Sequence, residues 1–272
     1  MKTLRNFSLE LGRLLQSRLT WLVLLLTVIS PVAGLTLYKP ATAETMLSMY
    51  LANPAIAGGV VSGILFGLLT VYELDRSGRS RVDILMNAIV SPMRSALIRM
   101  LALIVTSLLG LILTMLVWLP VSFTQAGSVL DMTNYCLAYL LFMGLALPCS
   151  ILAAAACYQF SQRADLSIVL FAAFAALSLT IWANNWQLCW LNPCVWALSD
   201  DFTNFRIFRS VLYMRLTWLA ALSGVWVLSW CCIRQHGKGI LGSLLRSSRR
   251  VYRPVIAVLL ITCSGVAYAA QP

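Results

Sequence analysis

Seven long segments with almost no charged side chains limit the fold of this chain more than any other feature. They run over residues 19–38, 52–72, 98–119, 135–157, 166–182, 212–233 and 254–270. A helix rises about 1.5 Å per residue, so each segment can cross or nearly cross a hydrocarbon core of about 30 Å. Hydrophobic residues make up 60% of the 272 positions and the mean hydropathy is +0.85, whereas soluble domains are about 45–50% apolar. We therefore predict an all-α polytopic membrane protein and exclude a large soluble domain or a secreted, disulfide-stapled module.

The charged residues predict how these spans are oriented. The net charge is +11, although only 11% of the residues are charged. With a cytoplasmic N-terminus, the inside segments hold sixteen of the twenty basic residues and five of the nine acidic ones. The outside then keeps four basic residues and four acidic ones, and its basic residues are Lys39, Arg206, Arg209 and Arg215. The positive-inside bias favours this orientation over its reverse.

The same pattern predicts how the chain is divided. We expect an amphipathic interfacial helix over 1–18, a six-span core over 19–233, a basic cytoplasmic loop over 234–253, and a seventh span with a short outer tail over 254–272. Within the core, the main cytoplasmic loop covers 73–97 and the main outer loop covers 183–211. The last segment also resembles an internal signal sequence, because basic residues precede it and Ala267-Tyr268-Ala269 closes it.

Apolar residues before the first span recur at steps of mostly three and four. They are Leu4, Phe7, Leu11, Leu14 and Leu15. This spacing predicts an amphipathic helix in the plane of the lipid headgroups. Such a helix is either a simple lead-in to the first span or an element that couples a cytoplasmic partner to the membrane core.

The loop over 73–97 contains a second apolar stripe. The stripe consists of residues on one face of a short helix, namely Val82, Leu85, Met86 and Ile89, and Pro92 ends this helix. The stripe could dock in a groove of a soluble partner or lie on the bilayer. Glu73 lies at the membrane boundary before this stripe. The simple alternative to a functional role for Glu73 is that it belongs to a salt-bridge cluster.

The basic loop over 234–253 carries six basic residues and no acidic residue. Anionic headgroups attract each such residue by roughly 1 kcal/mol. Membrane lipid is therefore the expected partner of this loop. Nucleic acid is not, because no nucleic-acid-binding fold accompanies the charge.

Three tryptophans spaced four residues apart lie around the start of the outer loop. Trp182, Trp186 and Trp190 would share one face if this region were helical. Tryptophans at span ends usually form an interfacial belt, and a role in substrate gating or partner binding is the alternative. Cys189 and Cys194 in the same loop would form a disulfide if the compartment is oxidising.

Catalytic motifs are missing from the sequence. Its sole histidine, His236, lies in the basic loop, so neither a histidine-containing metal triad nor a Ser-His-Asp arrangement can form within the membrane. A G-x-x-x-x-G-K-[ST] loop is also missing. We predict a non-enzymatic chain without a cofactor or metal of its own. If it is an active transporter, another subunit must supply the energy.

Three stretches together resemble the membrane subunit of a type-2 ATP-binding-cassette exporter. The first is Leu9-Glu10-Leu11 and the basic residues leading to Trp21, and the second runs from Glu73 to Ser91-Pro92 and Arg94. The third is Leu191-Asn192-Pro193, before the sixth span. The resemblance covers about residues 5–233 in the six-helix order of that family.

This resemblance implies a permease subunit in a bacterial cytoplasmic (inner) membrane. It would pair with a second permease subunit, the same or related, and bind a cytoplasmic ATP-binding-cassette ATPase that holds ATP and Mg²⁺. The implied coupling residues are Glu73, Val82, Leu85, Met86, Ile89 and Pro92. A seventh span departs from the family pattern, and it would either serve an extracytoplasmic accessory protein or lead into an extracytoplasmic domain. The rival hypothesis is a non-transporting membrane scaffold or an immunity-type interaction protein.

Overall fold

A computed structural model describes residues 2–79, 92–229 and 252–270, and this part of the chain folds almost entirely into helices. They are α1 (Lys2–Leu15), α2 (Arg18–Ile29), α3 (Val32–Thr36), α4 (Asn53–Arg79), α5 (Pro92–Ala126), α6 (Met132–Ala138), α7 (Ala146–Ser161), α8 (Ala164–Leu179), α9 (Phe205–Ser229) and α10 (Tyr252–Ala269). Short π-helices cover Ser48–Ala52 and Tyr139–Gly144. These ranges contain no β-strand, so the prediction of an all-α chain is confirmed for them.

Five helical stretches in the described ranges are long and apolar enough to cross a membrane. They are Arg18–Thr36, Ser48–Arg76, Arg94–Val129, Met132–Ser161 and Phe205–Ser229. Two further apolar helices, Ala164–Leu179 and Val255–Ala269, are shorter. They coincide with the fifth and seventh predicted segments, which were the shortest in the sequence. The protein is therefore an all-α membrane protein, and its six-span core and its orientation stay predictions.

Helix α4 is central, because it packs against α2, α3, α7 and α8. Gly59, Gly63 and Gly67 stand four residues apart on this helix, the spacing that lets membrane helices approach closely. A Cβ atom at Gly59 would lie 2.6 Å from the Phe142 carbonyl oxygen, and one at Gly67 would overlap the Phe171 ring. Glycine is thus required where these backbones and rings meet.

The last helix, α10, belongs to the bundle and packs along α9. Gly224 of α9 makes the close approach, since a Cβ atom there would lie 3.2 Å from the Ala257 carbonyl oxygen. Ser264 Oγ donates a hydrogen bond of 3.0 Å to the Thr217 carbonyl oxygen. A helix is therefore present where the sequence predicts the seventh span.

The amphipathic helix α1 packs against α5 and α2. Leu14 is buried, while Phe7, Leu11 and Leu15 are half-buried; Leu4 lies on this helix, but its side chain is outside the described side chains. We call the end of the bundle that holds α1 the α1 end. The opposite end, which holds residues 37–47 and 180–204, is the loop end.

Candidate functional site

A chain of ion pairs fastens α1 to α4 and α5 at the α1 end. Arg13 Nη2 lies 2.8 Å from Glu73 Oε2 of α4 and 2.8 Å from Glu10 Oε1, while its Nε donates to Glu10 Oε2 at 3.2 Å. Arg99 Nε of α5 lies 3.5 Å from Glu10 Oε1, and Arg76 Nη1 lies 3.7 Å from Glu73 Oε1. We call these five residues the ion cluster.

Burial makes Glu73 the critical member of the ion cluster. Its side chain is only 4% exposed, and a buried carboxylate is strongly destabilising once its partner is removed. Burial acts to lower the pKa of Arg13. The hydrogen bond and charge of Glu10 and the charge of Glu73 outweigh this effect, so the pKa of Arg13 is raised above its ordinary value. Arg13 therefore stays charged, and α1 is held to α4 through it.

The ion cluster lies where the chain enters and leaves residues 80–91. Glu73 is six residues before the end of α4, and Arg99 is seven residues after the start of α5. Pro92 is the first residue of α5. The other implied coupling residues, Val82, Leu85, Met86 and Ile89, lie outside the described residues. Of the two members of that set that the structure describes, Glu73 belongs to the cluster and Pro92 does not.

A second unusual feature is non-helical backbone inside the bundle. Residues 180–204 form a series of turns and extended chain rather than a helix. Cys189, Trp190 and Leu191 are fully buried, and Leu191 Cδ1 would be 3.0 Å from a Cβ atom on Gly63. Gly63 is ten residues into α4, about 15 Å along that helix. We call residues 188–193 the inserted segment.

Arg215 supplies hydrogen bonds that this non-helical backbone needs. Nη1 of Arg215 donates to the Trp190 carbonyl oxygen, while Nη2 donates to those of Leu191 at 3.2 Å and Phe142 at 2.9 Å. The Leu191 N–H donates to Ser178 Oγ at 3.0 Å. Backbone without such partners is not tolerated at membrane depth. The guanidinium fork suits several acceptors at once, which a lysine ammonium does less well.

The position of Arg215 differs from the sequence-based expectation. We expected it near the outer end of a span over 212–233, but α9 begins at Phe205 and Arg215 is fully buried in its middle. No carboxylate in the described part of the chain forms an ion pair with Arg215. A charged residue at this depth marks a functional position by default, and we include it in the candidate site.

The tryptophans of this region do not share a helical face, because residues 180–190 are turns. Trp190 stacks on Phe174 at 4.9 Å between ring centroids, and Trp182 and Trp218 each meet Phe174 edge-on at 6.0 Å. Trp190 is fully buried, so it belongs to the protein core rather than to an interfacial belt. Trp186 is half-buried.

Cys189 and Cys194 are free thiols in this structure, Cys189 buried and Cys194 half-buried. Cys189 Sγ donates to the Trp186 carbonyl oxygen at 3.4 Å. Their predicted disulfide stays a prediction for an oxidising compartment. Elsewhere in the described ranges, no three His, Cys, Asp or Glu side chains group as metal ligands, and His236 lies outside those ranges.

No protein-family model matches this chain, and neither a curated protein nor a solved structure matches it.

Proposed function

We propose that this chain is the membrane subunit of an ATP-driven exporter of the type-2 ATP-binding-cassette class. The observation that carries the proposal is the ion cluster. It joins the amphipathic helix α1 to both helices that flank residues 80–91, where the sequence places the apolar docking stripe. A cytoplasmic ATPase bound there, with its ATP and Mg²⁺, would push α1, α4 and α5 as one unit.

The path from this unit to the opposite end of the bundle is a single helix. α4 is continuous from Glu73 to Gly59, fourteen residues or about 21 Å. Gly59 touches the Phe142 carbonyl that Arg215 binds, and Gly63 touches the inserted segment. A displacement of α4 would therefore reach the inserted segment directly. In this proposal the segment is the moving part of an export path for a hydrophobic, lipidic or peptide-like substrate.

The second permease subunit, the same or related, would complete that path. We propose a bacterial cytoplasmic membrane as its location, with the N-terminus and the ion cluster inside. The rival hypothesis, a scaffold or immunity-type protein, requires no ATPase. The two hypotheses therefore differ in one measurable property, the stable association of an ATPase with the α1 end.

Purification of the tagged chain from its native host in mild detergent tests this. The expected result is a stoichiometric ATP-binding-cassette ATPase, recognised by its nucleotide-binding motif, that hydrolyses ATP in the complex. Val82→Asp and Met86→Asp should each release it, because a charge on the apolar stripe must be desolvated on docking. If no ATPase is present, or if both variants retain it fully, the proposal is wrong.

Reversing the charge of Arg13 should weaken ATPase binding, because it detaches α1 from α4. Arg13→Glu places a like charge beside Glu10 and Glu73 and frees α1. Because Arg13 is more than a third exposed, we expect only about a fivefold rise in the Kd for the ATPase. The double variant Arg13→Glu with Glu73→Arg should recover part of that loss. Binding to the chain in nanodiscs measures both.

Arg5→Glu is the matched control, because Arg5 lies on the same helix, is exposed and is not part of the ion cluster. It should leave the Kd within twofold of the unmodified chain. An equal effect of Arg5→Glu and Arg13→Glu would mean that the total charge of α1, and not the ion cluster, controls ATPase binding.

A further inference from the structure

A lateral groove lies at the loop end, away from the ion cluster and the inserted segment. It is formed by the end of α3, the π-helix Ser48–Ala52 and the last turns of α5, and its volume is about 380 Å³. Leu35, Trp118 and Val121 supply apolar walls. This volume is within the roughly 300–1,000 Å³ of ordinary ligand sites.

The walls of this groove are held in place by hydrogen bonds. Trp118 Nε1 donates to the Val28 carbonyl oxygen at 2.8 Å, which fixes the indole ring between the first and third spans. Ser122 Oγ donates to the Tyr50 carbonyl oxygen at 3.4 Å, which holds α5 to the π-helix. Short π-helices occur often at functional sites, because they widen the helix locally.

Polar side chains line the same groove, and the protein does not use them internally. Lys39, Tyr50 and Gln125 all border it. Across the described residues, none of these three side chains forms a hydrogen bond or ion pair with the protein. An unpaired ammonium group beside an apolar wall is complementary to a ligand with an anionic head and a hydrocarbon tail.

We propose that this groove binds one anionic phospholipid of the surrounding membrane. Its phosphate lies at Lys39, with the Tyr50 hydroxyl and the Gln125 amide as further donors. One acyl chain lies against Leu35, Trp118 and Val121. The site does not depend on the proposed exporter function, since it would exist equally in a scaffold protein.

Native mass spectrometry of the full chain, delipidated in detergent, tests this site. Phosphatidylglycerol and phosphatidylcholine with identical acyl chains are titrated separately. We expect about a fivefold preference for phosphatidylglycerol, which corresponds to the roughly 1 kcal/mol that one basic residue contributes beside anionic headgroups. Lys39→Gln should abolish the preference, and Lys39→Arg should keep it.

Arg206→Gln is the matched control, because it also removes one exposed positive charge at the loop end, outside the groove. It should leave the preference unchanged. Val121→Trp, which fills the groove, should remove the one tightly bound phosphatidylglycerol while the protein elutes as before. The proposal is overturned if Lys39→Gln keeps the preference, if Arg206→Gln abolishes it equally, or if equimolar oleate displaces the phospholipid.

Discussion

Replacing Arg215 by alanine is expected to lower the free energy of unfolding by about 3 kcal/mol and to release the inserted segment. The substitution leaves the carbonyl oxygens of Trp190 and Leu191 without their donor and takes one donor from the Phe142 carbonyl oxygen. Each unsatisfied buried group costs about 1–3 kcal/mol, and removal of the buried cation offsets about 2.5–3.5 kcal/mol of that total. The deleted side chain also leaves a cavity, which adds to the loss. SDS titration in mixed micelles, followed by tryptophan fluorescence, measures the change.

Alkylation of Cys189 separates release of the inserted segment from general destabilisation. In the closed segment the Cys189 side chain is fully buried and shielded from the reagent, whereas an opened segment exposes the thiol. Its alkylation rate at pH 8 should then rise by about tenfold or more, because only an accessible thiolate reacts. Arg209→Ala is the control on the same helix, since Arg209 is exposed and lies over the Tyr213 ring. Unchanged slow alkylation in Arg215→Ala would show that Arg215 does not hold the segment.

The spans were predictable because hydropathy is a local property. Long apolar helices occur at the five predicted spans that are long enough to cross the membrane. The two shortest predicted segments coincide with the two shorter apolar helices. Helix ends were less predictable, because charged residues inside the end of a helix shorten the apolar segment that any hydropathy scale identifies. Arg206 and Arg209 made the sixth span seem to begin at 212, so Arg215 was expected near its end and not in its middle.

The long-range contacts of the candidate site had no local signal. Arg13 and Glu73 are sixty residues apart in the chain, and Arg215 is seventy-three residues from Phe142. No helical or strand spacing connects such pairs. The prediction that the tryptophans share one face was wrong for a related reason, because a spacing of four residues predicts a shared face only where the chain is helical. By contrast, the Gly59-x₃-Gly63-x₃-Gly67 pattern is visible in the sequence and would have identified α4 as the closely packed helix.

Gly59→Val is expected to destabilise the bundle by about 3 kcal/mol, at the upper end for overpacking. Its Cβ atom would lie 2.6 Å from the Phe142 carbonyl oxygen and 3.1 Å from the Met143 Cα atom. Both are backbone atoms of a buried π-helix and cannot rotate away. Gly265→Val on α10 is the matched control, because no atom lies within 4 Å of a Cβ atom there. The same SDS titration should find little change for it.

The two variants should interact, because they share one carbonyl group. Phe142 O faces Gly59 and also accepts the 2.9 Å hydrogen bond from Arg215 Nη2. A valine that displaces Phe142 weakens this bond already, so Arg215→Ala should cost less in the Gly59→Val background. Coupled residues typically show interaction energies of about 0.5–3 kcal/mol. Strict additivity would mean that α4 and the inserted segment are not connected through Phe142, and displacement of α4 would then have to reach the segment through Gly63 and Leu191.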